Sequence, residues 1–415
     1  MLKVNTSKVL IVGAQWPEPN ASAAGMRMLQ IIKALSDFNY RIFFGCVADL
    51  PEENVLPDNV ERIKIELNNS SFDRLLERIC PQTVIFDRYF TEEQFGWRVA
   101  KVCPEALRVL DTEDLHFLRF AREEAVRLNI QPQLINQITV REMASMYRCD
   151  ISLIISLAEI DILKETFNFP DHLILYLPFM ADDIKEDYIN SLPSFNNRVG
   201  FIFIGNYKHK PNVDAVNHLV KNLFPEIRSR LDKAGLNIYG AYAGQNIQKL
   251  HNPEKGIYVK GWVKDATKVM QTARLCLAPL RYGAGQKGKL LEAMQNGTPC
   301  ITTPVGAEGM SFGNSRPGRI AKTDHEFIED TVKLYLDEKE WKNIQKSGFD
   351  LINKQFSYKE FSKIFIETLI NIRKKITQHR DKNFIGQMLQ YHRVQSTRYL
   401  SKYIEEKNKK TGCSN

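Results

Sequence analysis

Residues 282–299 read YGAGQKGKLLEAMQNGTP. Three glycines and two lysines crowd the start of what the apolar spacing predicts to be a helix. Both choices work against a helix: glycine costs about 1 kcal/mol relative to alanine. Lysine near the positive end of the macrodipole costs roughly 0.3–1 kcal/mol. A bound anion would reverse the second cost and explain the first. The preceding run RLCLAPL (274–280) has the composition of a short buried strand, and ligands of open α/β sheets gather at the carboxyl ends of strands. Gly283 and Gly285 are expected to let the backbone turn sharply and approach a ligand. The free amides of the new helix, with Lys287 and Lys289, then face an anion. Glu292 follows Gly285 by seven residues, two turns along the same face. A carboxylate there accepts hydrogen bonds from vicinal hydroxyls. Phosphate at the turn and sugar hydroxyls further on describe a nucleotide diphosphate. The competing reading is a tight turn with a Lys289–Glu292 ion pair on a solvated face.

Working outward, apolar runs alternate with helix-period segments. Strands are predicted at 8–13, 40–47, 83–87, 107–111 and 151–156, with helices at 23–35 and 133–147 between them. The stretch 177–197 is polar and carries prolines, and the alternation then restarts at 199–205, 236–240, 256–262, 274–280 and 299–304. Near-continuous apolar strands between helices predict parallel sheets covered on both faces. The chain therefore divides into an N-terminal α/β domain (1–190), a second α/β domain (191–372) and a basic helical tail (373–415).

Length and composition agree: 415 residues exceed one ordinary core, and 43% hydrophobic with 26% charged residues is globular. The net charge of +8 is local, because residues 373–410 hold eleven Lys/Arg against three Asp/Glu. The remaining chain is neutral, which argues against a nucleic-acid-binding body. Seven cysteines without a CxxC suggest buried free thiols in a reducing compartment. No apolar leader core precedes the first strand and no 18-residue apolar span occurs, so a cytoplasmic protein is expected. Anionic lipid is a rival to solvent for the tail, in which Tyr391, Tyr399 and Tyr403 alternate with basic residues.

The stretch 279–310, PLRYGAGQKGKLLEAMQNGTPCITTPVGAEGM, resembles the donor-site signature of retaining GT-B glycosyltransferases of the family-four group. The likeness extends to FIFIGNYKHKPNVDAV (201–216), IVGAQWPEPNASAAGMRMLQ (11–30) and DTEDLHFLR (111–119). It implies two Rossmann-like domains with parallel sheets facing a cleft. It also implies a hexosyltransferase-type enzyme that moves sugar from a nucleotide diphospho-sugar to a hydroxyl acceptor, with retention and without a metal or other cofactor. The acceptor could be lipid-linked, in bacterial-type glycan, glycolipid or glycoprotein assembly, with the tail at the inner face of a membrane.

By position, the resemblance gives Glu292 the ribose and places Lys208 and Lys210 on the diphosphate, with Asn206 opening their loop. His116 would reach the donor sugar, and the small residues Ala23 and Gly25 in SAAGMR would lie at the phosphates. His116, Lys208 and Lys289 are the expected catalytic groups, with Gly285, Gln286 and Lys287 binding the donor. Counting back seven from Glu292 gives Ala284 where the family has its first glutamate. A subgroup reads GAG-x-K here, leaving Gln286, Lys287 or backbone amides for the donor sugar.

Other residues have plainer alternatives. Asp111 and Asp114 have the wrong spacing for an Asp-x-Asp metal pair, and a helix cap accounts for Asp114. His209 fits either a ligand contact or a loop surface. Glu308 follows the strand at 299–304 and could face the cleft. Two other functions suit the fold: a nucleotide-sugar epimerase, for which only His116 and Glu308 offer acid/base chemistry, and a non-catalytic nucleotide- or partner-binding protein, suggested by Ala284.

Overall fold

A computed structural model of the chain describes residues 7–51, 55–311 and 315–412. The leading segment, in which no apolar leader was expected, and Cys413 lie outside the described residues. The first sheet consists of β1 (Lys8–Gly13), β2 (Arg41–Cys46), β3 (Val60–Lys64), β4 (Thr83–Asp87), β5 (Leu107–Asp111), β6 (Ile151–Ile154) and β7 (Ile174–Tyr176). Its order is β3-β2-β1-β4-β5-β6-β7, with all pairs parallel. The second sheet holds β8 (Phe201–Ile204), β9 (Leu236–Tyr239), β10 (Ile257–Gly261), β11 (Leu275–Ala278), β12 (Cys300–Thr302) and β13 (Gly318–Ile320). Its order, β10-β9-β8-β11-β12-β13, repeats that arrangement and is also parallel. In each sheet the strand order reverses beside the first strand, and a crevice opens there at the carboxyl ends.

The central strands are buried on both faces: Val9, Leu10, Ile11 and Val12 are fully enclosed, as are Leu275, Cys276, Leu277 and Ala278. This two-sided burial is why their sequences read as unbroken apolar runs. The edge strand β3, VERIK, is largely exposed or half-buried and holds three charged residues, so no apolar run marks it.

The chain crosses between the sheets twice, and the two crossings pair. Ala181 N–H donates to the Phe356 carbonyl at 2.7 Å, and Tyr358 N–H donates to the Ala181 carbonyl at 2.8 Å. After the return, helix Tyr358–Lys374 buries Phe365, Ile366 and Leu369 among Val9, Ile11, Ile42 and Val109 of the first domain. Residues 358–372, expected in the second domain, therefore pack on the first. Helical periodicity shows that a face is apolar but not which core it meets.

The tail is not a free solvated helix. Arg380 donates to Asp150 Oδ1 at 2.7 Å and to the Ala106 carbonyl at 2.8 Å. Within helix Phe384–Gly412, Ser401 and Glu405 accept from Arg98 at 3.2 and 2.5 Å. Among the described residues no helix is long and apolar enough to cross a membrane. Cys46, Cys149, Cys276 and Cys300 are buried free thiols, while Cys80 is exposed and Cys103 half-buried.

Candidate functional site

A cavity of about 680 Å³ lies between the two sheets at the carboxyl ends of their strands. Its second-domain wall starts with helix Gly288–Gln295, which begins at Lys287 without a side-chain cap. The facing helix Ala23–Asp37 is capped internally, Ser22 Oγ accepting from Gly25 N–H at 3.0 Å. Leu290 and Leu291 N–H turn back to the Lys287 carbonyl at 2.9 and 3.3 Å, so the amides of Gly288 and Lys289 are the ones left for a ligand, with the dipole favouring an anion.

Lys289 lines the cavity, donates to Asn212 Oδ1 at 2.6 Å and sits 4.5 Å from the Phe203 ring centre. Burial, with Lys287 nearby, pulls its ammonium down to about 8. One turn on, Glu292 lines the same wall, and burial raises its carboxyl to about 7 against the pull of Lys289. The two are half-buried in the cleft and form no ion pair within 4 Å, so the solvated salt-bridge reading does not hold. Lys287 is buried and its Nζ donates to the Ala284 carbonyl at 3.1 Å and to that of Gly285, closing the turn it caps. Lys208 stands over the Tyr242 ring at 3.5 Å, in a loop shaped by Asn206 Oδ1 accepting from Lys208 N–H at 2.9 Å. Asn206 and His209 line the cavity as well.

The first-domain wall carries Ala23 and His116. His116 opens helix His116–Leu128, its ring edge-on to Tyr89 with centres 5.5 Å apart and Nδ1 3.3 Å from Glu142 Oε1. The expected Asp114 cap is absent. Buried Glu159 and Glu142 accept instead from the amides of Leu115 (2.8 Å) and Phe117 (3.0 Å). Asp114 pairs with Arg119, and Asp111 is buried against Arg27 with Nε to Oδ1 at 2.9 Å. Both aspartates are therefore engaged by guanidinium groups.

Four expected site residues stand outside the cavity lining. Gly285, at φ +63°, meets the first domain: a Cβ there would lie 2.8 Å from Asp114 Cβ and 3.1 Å from Ile155 Cγ2. Its glycine serves the contact between domains rather than a ligand approach. Gly25 packs against the Glu18 backbone. Lys210 is exposed and pairs with Glu123 at 2.6 Å. Glu308 accepts from Arg122 Nη2 at 2.8 Å, a clamp across the domains. Gln286 lines the cavity with both amide atoms occupied: Oε1 accepts from Phe179 N–H and Nε2 donates to the Gly309 carbonyl, each at 2.9 Å. Ala284 packs within the first domain's buried cluster of Leu115 and Phe117.

Sequence reasoning missed two parts of the cavity. The segment 262–267, a loop leading into the helix Ala266–Thr272, follows β10, and in it Trp262 Nε1 donates to the Asn20 carbonyl at 3.3 Å. Its position after the run GIYVKGW was the available signal. Arg88 and Glu113, at the ends of β4 and β5, also line it; Glu113 falls inside the run 111–119 without being singled out there, and no motif marks Arg88.

The fold and this cleft are those of the two-domain GT-B architecture. Residues 198–337, within the second domain, match the family described as "Glycosyl transferases group 1". A Klebsiella pneumoniae protein described as "Uncharacterized 44.6 kDa protein in cps region" is 25% identical over 228 residues, 52% of this chain and 56% of that one. The match thus spans little more than half of that relative. Sucrose-phosphate synthase from Thermosynechococcus elongatus superposes with TM-score 0.67 at 12% identity, covering 88% of this chain and 99% of the other. The pneumococcal O-GlcNAc transferase GtfA, solved with UDP and GlcNAc, gives 0.66 at 12% identity, covering 89% and 99%. At these identities the superpositions speak for the fold.

Proposed function

We propose that the protein transfers a sugar from a nucleotide diphospho-sugar to a hydroxyl acceptor, with retention and without a resident metal, in glycan, glycolipid or glycoprotein assembly. The carrying observation is the uncapped Gly288–Gln295 helix, with Lys289 and Glu292 one turn apart in an interdomain cavity. The helix amides, Lys289 and Lys208 would hold the diphosphate and stabilise the charge that develops as it leaves. Glu292 would accept hydrogen bonds from the ribose. His116, oriented by Glu142, would meet the donor sugar from the opposite wall. In front-side attack the departing phosphate takes the acceptor's proton, so no carboxylate nucleophile is needed. The family match on the second domain and a structural neighbour solved with UDP and a sugar support the donor class.

An epimerase is less well supported, because Glu308, the partner expected for His116, is tied to Arg122 and stands outside the cavity lining. A non-catalytic nucleotide binder differs only in turnover. Incubation with nucleotide sugars and an acceptor mixture decides among these. Transfer releases nucleotide diphosphate with acceptor labelling, an epimerase isomerises the donor, and a binding protein does neither. Glu292→Ala and Lys289→Ala are expected each to reduce the thermal shift given by nucleotide diphosphates. A wild-type shift in both variants removes the site assignment.

A further inference from the structure

We propose that Glu113 and Arg88 form the acceptor subsite of the cleft and that it takes an uncharged, polyhydroxylated ring rather than an anionic group. This rests on the glycosyl-transfer reading and adds the chemistry of the acceptor.

Arg88 and Glu113 follow the paired strands β4 and β5, and Arg88 N–H donates to the Asp111 carbonyl at 2.7 Å. Both are non-glycine residues in the left-handed region, at φ +71° and +64°. Such backbone strain is retained where the surroundings demand it, often at ligand sites. Here it falls on two residues that line one cavity wall.

The Glu113 carboxyl makes no hydrogen bond or ion pair with the other described residues, although it is only half exposed. Burial, with Asp111 and Asp87 nearby, pushes it well above the usual carboxylate range against the pull of Arg88 and Arg27. It can thus both donate and accept a hydrogen bond, which suits a hydroxyl.

Around Glu113 the charges pair off, and Glu18, further along this wall, accepts from the Tyr242 hydroxyl at 2.7 Å with no cation within 4 Å among the described residues. Arg88 lies 3.6 Å from Asp87, Arg27 2.9 Å from Asp111, and Arg119 pairs with Asp114. The opposite wall has Lys208, Lys287 and Lys289, none within 4 Å of a carboxylate among the described residues. An anionic group is drawn to that side, and a neutral ring to Glu113.

The test uses the full chain saturated with a nucleotide diphosphate, titrated with a panel of uncharged nitrophenyl hexosides and with hexose 6-phosphate, read by saturation-transfer NMR. We expect at least one uncharged hexoside to bind more tightly than the hexose phosphate. Glu113→Gly should weaken that binding about 10-fold, a loss near 1.4 kcal/mol. The same substitution should raise the melting temperature by about 1–2 °C, because glycine relieves the backbone. Glu113→Gln, which keeps a donor and an acceptor, should bind within about threefold of wild type. Failure of every uncharged ring to bind, preference for the phosphate, or wild-type binding by Glu113→Gly overturns the proposal. Nucleotide affinity, measured separately, reads the donor site. Its loss in the wild type would sink the donor reading, whereas a change confined to hexoside binding concerns this subsite alone.

Discussion

Gly288 and Ala23 meet across the cleft: a Cβ built on Gly288 would lie 2.8 Å from the Ala23 Cβ. Two helix N-termini, one from each domain, therefore converge where the diphosphate is proposed to sit. Gly288→Val should wedge the domains apart while leaving the second-domain contacts in place. Nucleotide diphosphate affinity should stay within about threefold, and transfer should fall by about 100-fold, since small misplacements are costly in catalysis. Binding and turnover measured on one preparation check this. Equal loss of both would mean that Gly288 acts through the nucleotide alone.

The pH dependence of donor binding follows from the same helix. Glu292 must be ionised to accept from two ribose hydroxyls, and burial raises it to about 7. Lys289 must be charged to hold the diphosphate, and burial lowers it to about 8. Affinity for a diphospho-sugar should rise through about pH 7 and fall through about pH 8. Glu292→Gln should remove the acidic limb alone. Linkage gives a second readout: the native carboxyl keeps its proton above the ordinary carboxylate range, so its cost to stability grows between about pH 4.5 and 7 and persists above. The Gln variant should accordingly melt higher than wild type at pH 8 and lose that advantage at pH 4. A donor affinity flat between pH 6 and 9 would contradict this assignment.

Asp111 shows how the first-domain wall is held. It is fully buried and engages Arg27 Nε at 2.9 Å, while Arg27 Nη1 donates to the Leu177 carbonyl at 2.7 Å. Removing one partner of a buried pair leaves an uncompensated charge, at a cost of about 3–5 kcal/mol. Asp111→Asn should lower the first domain's urea midpoint, and Asp111→Asn with Arg27→Met should recover part of the loss. If the double variant is no better than the single, the cost does not lie in the unpaired guanidinium.

The second-domain wall of the cleft, where the donor is proposed to bind, was legible because its residues lie in one continuous stretch. Strand, turn, lysines and Glu292 fall within 274–292, and helix geometry relates them. The first-domain wall, proposed to take the acceptor, is assembled from separate strands. Arg88 and Glu113 are neighbours only because β4 pairs with β5, and their positive φ values come from tertiary context. The same limit explains Gly285 and Glu308, whose partners Asp114 and Arg122 lie more than 150 residues away. Strands buried on both faces declared themselves as apolar runs, whereas β3 and the short edge strand β13 did not.

The docked tail leaves a surface to test. Helix Phe384–Gly412 exposes Tyr391, Tyr399 and Tyr403 at 66–69%, within a segment carrying the chain's whole excess charge. Basic residues near an anionic bilayer contribute about 1 kcal/mol each, and aromatic side chains suit the interface. Arg380 is tied to Asp150 and contributes little of this. The full chain should sediment with vesicles containing about 30% anionic lipid, and not with neutral ones, with attraction fading as salt screens it over a Debye length. Replacing the three tyrosines by serine should weaken vesicle binding several-fold without altering nucleotide affinity. Equal sedimentation with neutral and anionic vesicles, or none with either, would leave these side chains as an ordinary solvated face.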